Sequence, residues 1–213
     1  MEQWRIEKLE LIKRYREQNR TAVKGQVVFT GSSLMEMFPI DEWSRETEGA
    51  PIVYNRGVGG YTTAELYSVL DACVLDLMPK KVFINIGTND LSDSRISIDQ
   101  VIQNYDRILN KIEEGNGGVK IYLMAYYPVN PEVASGDIRK YIETRTNAKI
   151  NEANKRVQEL AARHKQQFID VNAALKDANG NLRADYTIEG IHIKPAGYRA
   201  ILKQVMQYVL QPE

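Results

Sequence analysis

The feature that most constrains this chain is a regular alternation of short β-branched runs with longer stretches of helical period. The runs cover residues 26–29, 52–54, 81–84, 119–123 and 167–171. Several lack polar alternation, the pattern of strands covered on both faces. Between them, Leu66, Val69, Leu70, Cys73, Val74 and Leu77 keep i, i+3, i+4 spacing behind a capping box of Thr62 and Glu65. Ile98, Val101, Ile102, Tyr105, Ile108, Leu109 and Ile112 do the same, with Ser97 and Gln100 as the box and Gly115 just beyond the end. A longer helix is expected over residues 139–164, burying Ile142, Ile150, Val157, Leu160 and Ala161. The last helix begins near Pro195, suited to a first helical turn, and buries Tyr198, Ile201, Leu202, Val205 and Val209.

Strands alternating with helices imply βαβ units with right-handed crossovers. The predicted class is α/β: a five-stranded parallel sheet in a three-layer α/β/α sandwich. In such a sheet the ligand site lies at the carboxyl ends of the strands. A length of 213 residues suits one domain spanning residues 1–213. Residues 1–22 form an additional N-terminal helix with Trp4, Leu11, Ile12 and Tyr15 available for one face. That face is expected to pack on the parent domain, with a homodimer contact as the alternative. Its mixture of Arg and Lys with Glu2, Glu7, Glu10 and Glu17 gives little support to a membrane-surface role.

Charge excludes more than it suggests. Lys+Arg 28 against Asp+Glu 28 leaves no basic excess, so no nucleic-acid partner is expected. A single cysteine, Cys73, can form no internal disulfide and no Cys-based zinc site. The first residues carry acids and no uninterrupted apolar core, unlike a secretory signal, and no apolar stretch is long enough for a membrane span. The expected address is the cytoplasm.

Chemistry-bearing residues follow the strands. After the first comes Thr30-Gly31-Ser32-Ser33, which can present a hydroxyl beside the backbone N–H groups of the next helix. After the second, residues 55–63 carry Gly57, Gly59 and Gly60, which allow close approach or positive φ. The spacing is not the dinucleotide G-x-G-x-x-G. After the third comes Gly87-Thr88-Asn89-Asp90, where the Asn amide could donate into a site or merely cap a turn. Near the end comes Glu189-Gly190-Ile191-His192. A carboxylate three residues before a histidine can fold back onto Nδ1–H and leave Nε2 as a general base. The second histidine, His164, sits at a helix end, where a solvated or C-terminal charge role is expected. After the fourth strand, residues 126–130 should reach the rim of the site, and residues 131–140 are expected as a mobile loop over the opening.

These four segments, in this order, resemble the SGNH hydrolase superfamily, also called GDSL-type lipases and acylhydrolases. The similarity is greatest to the branch of the platelet-activating-factor acetylhydrolase subunits and runs over residues 27–198. It implies a flavodoxin-like SGNH fold and a serine esterase that needs no cofactor and no metal. It implies that Ser33 is the nucleophile, that His192 is its base, and that the backbone N–H groups of Ser33 and Gly60 with the Asn89 amide form the oxyanion hole. A serine hydroxyl needs such a base at neutral pH, and the tetrahedral intermediate needs such donors. Two departures stand out. Ser32 replaces the usual Asp of the first block. Glu189 stands where the family has Asp before the histidine, one methylene longer by about 1.5 Å. Glu189 is expected to serve, with Asp185 the nearest substitute.

The resemblance implies a small-molecule ester substrate, with a small or short-chain acyl group, acetyl foremost, on a sugar or lipid. Two other readings remain at this point. One is a ligand-binding module weakened by the Glu189 change. The other is a mononucleotide binder using Thr30-Gly31-Ser32-Ser33 for phosphate, which leaves Glu189 and His192 unexplained.

Overall fold

The computed structural model describes residues 3–212. Five strands, β1 (Val27–Gly31), β2 (Val53–Gly57), β3 (Lys81–Asn85), β4 (Lys120–Met124) and β5 (Gln167–Ile169), form one parallel sheet in the order β2-β1-β3-β4-β5. Every residue of β1 and β3 is buried, which is why those runs lack polar alternation. Register places Phe29 beside Phe83 and Phe83 beside Tyr122. Their rings therefore stack across the sheet, with centroids 4.4 and 4.5 Å apart. Each such pair contributes roughly 0.5–1.5 kcal/mol beyond its area burial.

Among the described residues ten α-helices surround the sheet: α1 (Gln3–Asn19), α2 (Ser33–Glu36), α3 (Ile40–Trp43), α4 (Thr63–Ser68), α5 (Leu70–Cys73), α6 (Thr88–Leu91), α7 (Ile98–Gly115), α8 (Gly136–Thr144), α9 (Asn147–Arg163) and α10 (Pro195–Leu210). One face of the sheet, with Val28, Val82 and Ile121, packs against buried side chains of α1, α4, α5, α7 and α9. The other, with Phe29, Phe83 and Tyr122, packs against α2, α3 and α10. The sandwich has three layers, as the alternation predicts.

Several boundaries differ from expectation. The helix expected through Leu77 has the full capping box of Thr62 and Glu65 but breaks twice. Val69 and Val74 leave helical geometry, and a 3₁₀ turn, Leu75–Leu77, ends on Met78 in the left-handed region. Its apolar side chains still face the core. At α7, Ser97 accepts the backbone N–H of Gln100, but the Gln100 side chain donates to Asn104. Only half the box forms, and Gly115 is the last helical residue rather than the one beyond it. The helix expected over 139–164 is two helices, because Thr146 caps a new one by accepting from the N–H of Lys149. Asn55, Arg56 and Gly57 belong to β2 rather than to the loop after it, and β5 stops at Ile169.

Helix α1 docks on the domain. Ile12 and Tyr15 are buried, Tyr15 Oη donates to Gly57 O at 2.8 Å, and Asn19 Nδ2 donates to Ala72 O at 2.7 Å. Leu11 packs partly against the core. Trp4 does not join that face: it is 46% exposed, with the Lys8 ammonium over its ring. Met1 and Glu2, included in the expected helix, lie outside the described residues. Among the described residues no helix is long and apolar enough to cross a membrane.

Candidate active site

The carboxyl ends of β1, β2 and β3 and the loop before α10 converge. Strand β1 ends at Gly31, Ser32 is the N-cap residue, and Ser33 opens α2. Helix α2 is tied to α10 at the far side of the site. Tyr198 Oη donates to Leu34 O at 2.8 Å, and the Tyr198 ring stacks on Phe38 at 4.8 Å. That tie fixes the start of α10, and with it the turn over residues 187–193 that precedes it. Within the turn, Thr187 Oγ1 donates to His192 O, Gly190 N–H donates to Thr187 Oγ1, and Ile188 N–H donates to His192 O.

The result is a continuous chain of polar contacts. Ser33 Oγ lies 3.0 Å from His192 Nε2. His192 Nδ1 lies 2.5 Å from Glu189 Oε1, which also accepts the His192 backbone N–H at 3.3 Å. The Glu189 side chain folds back onto the ring three residues later in the same turn. Asp185 is not a substitute: it pairs with Arg183 at 2.8 Å and is exposed. The replacement at Ser32 leaves a buried hydroxyl without a partner among the described residues and places no charge there.

The expected donors follow the carboxyl ends of three neighbouring parallel strands. Ser33 stands at a helix start, where backbone N–H groups have no helical acceptor. Gly60 sits at φ +69, a conformation that a side chain would oppose. Asn89 Nδ2 donates to Tyr61 O at 2.9 Å, which fixes the amide and leaves its second N–H for another acceptor. Three further side chains, given no role by the sequence pattern, brace these segments. Glu36 Oε2 accepts the Gly59 N–H at 2.5 Å and pins the glycine loop to α2. Asn55 Nδ2 donates to Met35 O and Phe38 O, holding the same helix from β2. Asp90 is buried and accepts from the N–H and Oγ1 of Thr63. Burial raises the Asp90 pKa, against the opposing pull of those Thr63 hydrogen bonds.

Other expectations change. Tyr126, Tyr127, Val129 and Asn130 do not reach the rim; all are buried, and Tyr126 Oη donates to Ile86 O at 2.8 Å. After β4 the chain turns inward, so these rings fill the core. The segment 131–140 is not wholly loop, since α8 begins at Gly136. His164 is not solvated: its side chain is 9% exposed and bridges Glu113 Oε2 at 2.9 Å and Asp106 Oδ1 at 3.0 Å. Among the described residues no group of three or more His, Cys, Asp or Glu is placed to hold a metal ion.

Residues 38–200 match the GDSL-like lipase/acylhydrolase family. The chain belongs to that family. Its solved relatives share its architecture. A protein from Streptococcus pneumonia named for platelet activating factor is 29% identical, with a TM-score of 0.82 over 95% of this chain and 92% of that one. A GDSL-like lipase from Bacteroides thetaiotaomicron is 23% identical, with a TM-score of 0.76 over 93% of this chain and 96% of that one. An N-acylneuraminate cytidylyltransferase from Escherichia coli is 27% identical over 170 residues, 79% of this chain. The GDSL-like chain spans 38% of that relative's length.

Proposed function

We propose that this GDSL-like chain is a serine esterase that cleaves small or short-chain acyl esters, acetyl esters foremost, through an acyl-enzyme, as one domain that includes α1. The observation that carries the reading is the contact of Ser33 Oγ with His192 Nε2, 3.0 Å across 159 residues of chain. In this reading the Ser33 oxygen attacks the ester carbonyl carbon, and its proton passes to His192 Nε2. Glu189 holds the ring so that Nε2 is the free nitrogen and steadies the imidazolium that forms. The carbonyl oxygen becomes an anion facing the N–H groups of Ser33 and Gly60 and the Asn89 amide. Each such donor is worth roughly 2.7–4 kcal/mol of barrier where one has been removed.

Collapse breaks the bond to the alcohol, which leaves with the His192 proton. Water then repeats the sequence on the acyl-Ser33 ester, and Ser33 recovers its proton. The preference for a short acyl group is supported by Tyr126 and Tyr127, whose rings are packed into the core and offer no apolar surface to a long chain.

A fluorophosphonate probe tests the first half of the reaction. It should label the native protein at Ser33 and leave Ser33→Ala unlabelled. A panel of acetyl, butyryl and octanoyl p-nitrophenyl esters and acetylated sugars tests the second, with the acetyl esters turned over fastest. Absence of label and of turnover on every ester would overturn the reading.

A further inference from the structure

Glu189 uses only one of its oxygens. Oε1 takes both His192 contacts, while Oε2 is buried and has no hydrogen-bond partner among the described residues. An ionised oxygen in that state is costly unless an opposite charge compensates it. A second buried group close by has the complementary deficit. Arg145 is 4% exposed, its Nε has no partner, and among the described residues its guanidinium makes no direct ion pair. Burial pulls the Arg145 pKa down to about 10, and the Glu189 carboxylate is the leading charge that opposes the fall. Arg145 is therefore still a cation at neutral pH, within electrostatic reach of Glu189.

The backbone brings together the segments that carry them. Arg145 closes α8, whose Ile142 lies one turn earlier and is buried. Gly190, next to Glu189, has φ +104; a Cβ there would come within 2.6 Å of Asn130 O and 3.1 Å of Ile142 Cδ1. Asn130 N–H also donates to Gly190 O at 2.8 Å. The turn that carries Glu189 is thus pressed against the chain after β4 and against α8. On its other side α8 is tied toward α6, since Thr144 Oγ1 donates to Ser92 O at 2.9 Å. Arg145 stands where the elements bearing Asn89 and Glu189 are joined.

We propose that Arg145 is a positioning residue for the triad carboxylate: its guanidinium, linked to Glu189 Oε2 through a bridging water, keeps that side chain turned toward His192. A water that makes such a bridge is nearly as good as a direct hydrogen bond and satisfies both orphaned atoms. The proposal rests on the triad reading above. The titratable groups acting there are His192 from the same turn, Arg145 from the junction of α8 and α9, and Tyr141 of α8, which acts on Arg145.

The test compares Arg145→Gln, Arg145→Lys and Glu189→Gln on p-nitrophenyl acetate, a neutral ester, from pH 5 to 9. Removing a nearby cation favours protonation of its neighbours. The acid limb of kcat/KM should therefore move up by about one pH unit in Arg145→Gln, a loss of about 10-fold below the limb. The loss should fall on kcat with KM nearly unchanged, and Arg145→Lys should return the limb most of the way. A folded Arg145→Gln with an unmoved limb overturns the proposal. So does a loss that falls on KM with kcat unchanged, which would make Arg145 a substrate-binding group. Should Arg145→Gln not fold, a high-resolution crystal structure of the native protein decides. An ordered water joining the two side chains supports the proposal, and a guanidinium turned away from Glu189 overturns it. Full activity in Glu189→Gln would remove the triad reading itself, an outcome distinct from failure at Arg145.

Discussion

Glu189 Oε1 accepts from both the ring Nδ1 and the backbone N–H of His192, three residues further along the same turn. One oxygen thus fixes the imidazole and its main chain together. Glu189→Gln should keep the shape and remove the charge, lowering kcat by about 10²–10⁴, the upper end matching loss of a triad carboxylate in a well-studied protease. Glu189→Asp should recover only part of this, because a side chain shorter by about 1.5 Å cannot span the present turn. Steady-state kinetics on p-nitrophenyl acetate measure both. Wild-type turnover in Glu189→Gln would show that His192 needs no carboxylate.

Asn89 carries a different expectation. Its amide already donates to Tyr61 O, so its position does not depend on substrate. Asn89→Ala should lower kcat by about 10²–10³ with a small change in KM, the signature of a donor used in the transition state. A variant that raised KM and left kcat alone would place Asn89 in ground-state binding instead.

Asp90, the next residue, supports that placement from below. It is buried and takes two hydrogen bonds from Thr63, whose Oγ1 also accepts from Asn104. Asp90→Ala leaves the Thr63 donors unsatisfied in the interior and should cost about 1–3 kcal/mol of stability. Urea unfolding of the two proteins reads the difference directly. A midpoint that did not move would mean that water replaces the carboxylate.

What was legible in the sequence follows from how local each signal is. The runs that became β1 and β3 are apolar on both faces because both faces are covered, so composition alone marks them. Ser33, Asn89 and His192 stand out as candidates because each lies just beyond a strand or just before a helix, where a parallel sheet collects its ligands. The break at Thr146 was hidden because apolar spacing continues through it, and only the cap contact with Lys149 reveals two helices. Tyr126 and Tyr127 were misplaced because nothing local says which way a chain turns after β4. Arg145 was invisible for a similar reason. Its burial is created by α8 settling on the Glu189 turn, a contact between residues more than forty positions apart.

His164 makes the last prediction, one of pH rather than of catalysis. Its ring bridges Glu113 of α7 and Asp106 of the same helix from the C-terminal end of α9. Burial is the largest influence and lowers its pKa, but the two carboxylates together outweigh it and raise the value above the ordinary 6.5. A raised value means that the folded protein holds the proton more tightly than the unfolded chain. The stabilisation is therefore fully present below about pH 6.5 and is lost as pH rises through the folded-state value. His164→Ala removes it at every pH. The gap in Tm between the native protein and His164→Ala should then be wider at pH 6 than at pH 9, read by thermal melts at matched ionic strength. Added salt should narrow the gap at pH 6 only modestly, because a side chain that is 9% exposed is poorly screened. A gap independent of pH would mean that the imidazole holds α7 and α9 together as a neutral hydrogen-bonding group.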